Sequence, residues 1–187
     1  FTLQVLDSTV PGGTNANWPA LLSTAMSEWG QSSKLNFNVV PYANANKDRK
    51  RCAAVTGKIR VCNASYGSNG WLGLASININ GSHITKATAK MNDSYASYYA
   101  SDANEARHVM CQEVGHDFGL GHTSEDGSSQ GTCMDYSSSP SSVSPNAHDY
   151  DQLAIIYNHT DSTNTHAFRA SPSQSAMTGD IPMGVMV

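Results

Sequence analysis

The stretch Gln112-Glu113-Val114-Gly115-His116-Asp117-Phe118-Gly119-Leu120-Gly121-His122 constrains this chain more than any other part of it. Residues four apart on an α-helix lie one turn above one another, so Gln112 and His116 share a face and Glu113 stands on the adjoining one. Gly119 can take the left-handed conformation that ends a helix, and the reversal lets His122 approach the same point from outside. Two imidazoles, one neutral amide oxygen and an open position for water make the donor set of a catalytic zinc ion, with Glu113 placed to take the water's proton. An amide is a poorer donor than imidazole, so Gln112 should hold a metal more weakly than a third histidine. Its ligand atom is identified by whatever binds the amide nitrogen. His108 lies on the same face, yet its separation from His116 spans about 12 Å of helix rise, which leaves it a supporting or surface role. Asp117 should point elsewhere on the helix.

Written against H-E-x-x-H-x-x-G-x-x-H, the stretch matches at Glu113, His116, Gly119 and His122 and departs at Gln112. On these residues the chain resembles the metzincin zinc metallopeptidases of the zincin superfamily, and Glu113-Val114-Gly115-His116 with Gly119-Leu120 and His122 is especially similar to the pappalysin form. Gly131-Thr132-Cys133-Met134-Asp135-Tyr136 resembles the Met-turn of that superfamily. The resemblance implies one catalytic Zn2+ held by Gln112, His116 and His122, with Glu113 as general base and Met134 as a soft apolar floor. Tyr136 falls at the astacin and serralysin position whose phenol binds the metal or the oxyanion; the alternative is a core tyrosine with a satisfied hydroxyl. Ca2+ is left open, and no motif indicates it.

At 187 residues the chain suits one domain. Lys+Arg 11 against Asp+Glu 15 gives no basic excess, which argues against nucleic acid as a partner. No apolar run approaches membrane-spanning length, and a start at Phe1 suggests processing. The cysteines Cys52, Cys62, Cys111 and Cys133 allow three connectivities. Cys111 immediately precedes Gln112 and Cys133 immediately precedes Met134, so a bridge between them would tie the metal helix to the Met-turn and contribute ~2–4 kcal/mol. Cys52 with Cys62 would close a short loop. Buried free thiols or a thiolate ligand are the alternatives; disulfides imply secretion. Asn63, Asn80, Asn92 and Asn158 each begin an N-x-Ser/Thr sequon.

Along the chain, residues 1–6 alternate as a strand, and Leu21, Leu22, Ala25, Met26 and Trp29 recur at helical spacing behind Asn17 as cap and Pro19 in the first turn. Residues 35–40, 58–62, 71–80 and 84–91 read as further strands, the last two joined near Gly81-Ser82. Segment 43–57 reads as a polar loop whose run Lys47-Asp48-Arg49-Lys50-Arg51 is a solvated surface. Tyr95, Tyr98 and Tyr99 either flank a cleft or belong to the core. Asp102 with Glu105 looks like a capping box starting a helix over 103–118, with Val109, Met110, Val114 and Phe118 on its buried side. Ser137–Pro145 has no basis for an element of its own, and Leu153, Ile156 and Tyr157 mark a last helix.

The expected fold is therefore α+β and zincin/metzincin-like: a twisted mixed sheet of about five strands with an active-site helix, a Met-turn and a C-terminal helix. Residues 1–159 form the catalytic domain and 160–187 a tail without a clear period. By the resemblance, strand 71–79 is the sheet edge that binds an extended polypeptide substrate by strand addition. The expected function is that of a secreted, monomeric zinc metalloendopeptidase with no membrane partner. A zincin-fold hydrolase of ester or glycosidic bonds, and a non-catalytic metal-containing binding protein, are the alternatives that the altered ligand Gln112 keeps open.

Overall fold

The structure, a computed structural model, describes residues 1–160 and 180–183. The alternation at the start builds β1 (Thr2–Ser8), with Val5 fully buried. Pro19 sits in the first turn of α1 (Trp18–Trp29), which turns Trp18, Leu22, Ala25, Met26 and Trp29 inward. Asn17 holds the N-cap position, but its side chain makes no capping bond; a bridge to Pro11 holds its backbone in another conformation.

From α1 the chain enters β2 (Asn36–Pro41), parallel to β1, and later β3 (Ile59–Ala64), parallel to the other side of β1. β4 (Gly73–Asn80) and β5 (His83–Asn92) form the expected hairpin, with Gly81 at φ 62°, and β5 lies parallel to β3. A short strand, β6 (Asp180–Met183), pairs antiparallel with the outer edge of β4 over Ala75–Asn78. The sheet is thus mixed and ordered β2-β1-β3-β5-β4-β6. The architecture is α+β, with one strand contributed by the tail; the remainder of the tail after Thr160 lies outside the described residues.

Two local expectations change. Segment 43–57 is not all loop: it holds a short exposed helix, α2 (Asn46–Arg51), which ends at Cys52 in a left-handed conformation (φ 45°) because Cys52 is bridged to Cys62 in β3. The charge run decorates this helix. After α3 (Ala96–Ser101), Asp102 caps α4 (Ala103–Asp117) by accepting from the Asn104 amide at 2.8 Å. Glu105 does not return the bond, since the Asp102 N–H already donates to the Tyr98 carbonyl of α3 at 3.2 Å. The last helix, α5 (Ala147–Ile156), starts from a capping box of Asn146 and Asp149.

α4 packs on α1, β4 and β5, burying Val109, Met110, Val114 and Phe118 as the sequence pattern requires. Trp29 of α1 meets Phe118 edge-on at 5.6 Å between centroids, and its indole N–H donates to the Cys111 carbonyl at 3.1 Å. Cys111 is bridged to Cys133, so the middle of α4 is tied covalently to the segment before Met134. Of the aromatic cluster, Tyr99 is core: it meets Trp18 edge-on and donates its hydroxyl to the Leu72 carbonyl at 3.0 Å. Among the sequons, Asn63 and Asn92 are buried in hydrogen-bond networks, whereas Asn80 and Asn158 are exposed. No helix among the described residues is long and apolar enough to cross a membrane.

The α4 backbone is closely packed at Gly115, where an added Cβ would lie 2.5 Å from Met134 Sδ and 2.7 Å from the Trp29 ring. Overpacking of this kind costs about 1–3 kcal/mol, so Gly115→Ala should lower the unfolding free energy by that amount in urea denaturation. Unchanged stability would mean that Met134 does not lie against the helix backbone.

Candidate metal centre

Gln112, Glu113 and His116 are all fully buried on α4. The helix ends as the sequence predicts. Gly119 takes φ +93°, its N–H donates to the His116 carbonyl at 2.9 Å, and the Leu120 N–H reaches the Gly115 carbonyl at 3.3 Å. This reversal carries His122 back until its Nε2 lies 2.9 Å from His116 Nε2.

The outer nitrogens of both rings are already assigned. His116 Nδ1 lies 2.8 Å from the Leu120 carbonyl, which only accepts, so the hydrogen sits on Nδ1 and Nε2 presents a lone pair. His122 Nδ1 lies 2.9 Å from Glu125 Oε1, which places a hydrogen on Nδ1. Two lone pairs facing one another repel unless a proton or a cation stands between them. Burial pushes the His116 imidazole down to about 4, which disfavours a proton on that ring. A metal ion held between the rings would satisfy both nitrogens.

Gln112 has its amide orientation fixed as well. Nε2 donates to the Cys133 carbonyl at 2.8 Å and to the Asp135 carbonyl at 2.9 Å. Reversing the amide would set its oxygen against two carbonyls. Oε1 is therefore the outward atom, and it is buried with no donor among the described residues. Leaving such an atom unmatched costs about 1–3 kcal/mol. His108, buried rather than on the surface, also bonds the Asp135 carbonyl, at 2.9 Å, and so helps hold the acceptor that orients Gln112.

Beneath these groups lies the turn at Met134. The Thr123 N–H donates to the Met134 carbonyl at 2.8 Å, and the Tyr136 N–H donates to the Ser124 carbonyl at 3.0 Å, so the segment after His122 is paired to the turn. Tyr136 lays its ring 4.2 Å from that of His122. Its phenol is raised above the ordinary tyrosine range by burial first, then by the carboxylates of Glu125 and Glu113. Glu113 is bounded by Gly73 at the start of β4, where a Cβ would come within 2.5 Å of its Cγ and Oε1.

Gln112, Glu113, His116, His122 and Tyr136 are thus all held around one end of α4. Among the described residues no three His, Cys, Asp or Glu side chains gather as a metal site. Sequence reasoning missed Gly73, which no motif signals, and Glu125, whose place three residues after His122 was a usable clue. Asp117, expected to point elsewhere on the helix, is buried one turn beyond Glu113, and neither oxygen has a hydrogen-bond donor among the described residues. No family model matches the chain, and a comparison with curated proteins found no match.

Burial, reinforced by the Glu113 carboxylate, pushes the Asp117 carboxyl well above its ordinary 3.8. A raised acid withholds stability as pH climbs from its unfolded value through its folded one. Asp117→Asn should therefore stabilise the protein by about 1 kcal/mol or more at pH 7, with the gain shrinking toward pH 4. Thermal unfolding across that range tests it; no gain at pH 7, or a larger gain at pH 4, would contradict the burial.

Proposed function

We propose that the protein is a secreted zinc-dependent metalloendopeptidase of the metzincin type, in which Gln112 Oε1 replaces one imidazole. The reading is carried by the facing Nε2 atoms of His116 and His122, a pair that is stable around a cation and poorly explained as packing. The unmatched Gln112 Oε1 supplies the third donor. Zinc held by these residues would supply Lewis acidity, lowering the pKa of a bound water to about 7.

The chain's own residues perform the proton work. Glu113 takes the proton of the attacking water and returns it to the departing amine, a role that requires the carboxylate to swing little. Gly73 keeps that volume open. Tyr136, whose phenol keeps its proton because burial raises it, donates to the oxygen that becomes negative as the carbonyl is attacked. Two disulfides and the run of polar residues on the surface suit an oxidising, extracellular setting.

One observation favours a second reading. The outer edge of β4, the strand expected to pair with an extended peptide, is taken over Ala75–Asn78 by β6. A substrate that does not bind by strand pairing, such as an ester or a glycoside, has no need of that edge.

Purified protein should bind about one equivalent of zinc, and Gln112→His should retain it more strongly against a chelator, because imidazole is the better donor. Weaker retention in Gln112→His would remove Gln112 from the ligand set. On a peptide library, Glu113→Ala should keep zinc and lose about 10²–10⁴-fold in kcat/KM. Gly73→Ala, which crowds the same carboxylate, should lower kcat with little change in KM. Cleavage of esters or glycosides alone, lost in Glu113→Ala, would establish the second reading instead.

A further inference from the structure

Glu105 lies two turns before Glu113 on α4 and is only 6% exposed. The ordinary job of an acid at this position, closing a capping box, is not done, because the Asp102 N–H is bonded to Tyr98. No donor among the described residues reaches the Glu105 carboxylate. Burial first, then the Asp102 carboxylate, pushes its carboxyl up to about 7, the behaviour of an acid that lacks a cation. Removing a carboxylate from water without a partner is costly, so the chain gains nothing in stability by keeping it.

What Glu105 does face is a hollow of about 380 Å³ beside the candidate centre, walled by Leu72, Tyr98 and Tyr136. Glu125 and Asp126 lie on its rim, and neither lysine nor arginine lines it. Asp126 stays ionised, its carboxyl drawn down to about 2 by the Ser124 and Ser128 side chains. His108, also in the wall, is lowered by burial and brings no positive charge. Tyr98, 41% exposed, offers a ring face suited to a cation. The hollow adjoins the reacting groups directly: Tyr136 touches His122, and Leu72 precedes the Gly73 that borders Glu113.

We infer that this hollow selects a lysine or arginine side chain of the polypeptide substrate next to the bond that is cut, with Glu105 as the anion that receives it. A long apolar stem lies along Leu72 and the tyrosines, and the charged head displaces water from a carboxylate that has no other partner. Glu105 is thus a specificity residue, remote from the proton transfers of Glu113. The inference rests on the peptidase reading, and its test has an arm that does not.

In the first arm, a positional peptide library is cleaved by wild type and by Glu105→Gln. Wild type should prefer Arg or Lys over norleucine at one position adjoining the cleaved bond by about tenfold or more, and Glu105→Gln should compress that ratio. No basic preference in wild type, or one unchanged in the variant, overturns the inference. In the second arm, agmatine binding is followed by calorimetry without any substrate. Wild type should bind it, and Glu105→Gln should bind about tenfold more weakly; equal binding overturns the pocket even if peptides are cut. Cleavage of no peptide at all, with agmatine bound through Glu105, would instead retire the peptidase reading and leave a cation pocket. Thermal unfolding separates a structural role: Glu105→Gln should be as stable as wild type or more so, and a loss of stability with intact preference would assign Glu105 to the helix alone.

Discussion

Two imidazole nitrogens that both present lone pairs, 2.9 Å apart inside the protein, set the terms for the rest of this structure. Such a pair is unfavourable by itself. It persists here because each ring is gripped from behind, His116 by the Leu120 carbonyl and His122 by the Glu125 carboxylate. The reversal at Gly119 creates the first grip and delivers the second ring, so a single backbone conformation produces both halves. In the proposed reading a cation held between the rings would relieve that repulsion.

The surrounding architecture serves to keep that geometry from relaxing. α4 is fixed along its length by Trp29, by the disulfide to Cys133 and by the contact of Gly115 with Met134. The turn at Met134 is held in its own right. Thr132 Oγ1 donates to the Asp149 carboxylate of α5 and accepts from the Met134 N–H at 3.1 Å. The same turn offers the Cys133 and Asp135 carbonyls that orient Gln112. One segment therefore supports the floor, aims the amide and pairs with the segment after His122. The buried acids Glu105 and Asp117 oppose this order energetically, the pattern expected where a protein gives up stability near a functional site.

Most of this was legible in the sequence because short-range rules govern it. The periods of β1, α1 and α4, the exit at Gly119 and the Cys111–Cys133 bridge each follow from residues within a few positions of one another, or from an adjacency to a motif. What escaped depends on which groups meet only in the folded chain. The α2 helix hangs on the left-handed Cys52 and its partner in β3. Glu105 lost its capping partner to the end of α3, and Gly73 matters only because β4 passes Glu113. The β6 pairing joins residues about a hundred positions apart and no local pattern announces it.

The ligand set itself is most directly tested by X-ray absorption at the zinc edge of protein reconstituted with one equivalent of the metal. The account requires a shell of two imidazoles with the remaining donors oxygen, and the loss of one imidazole in His122→Ala. A shell with no imidazole, or one that His122→Ala leaves intact, would contradict it.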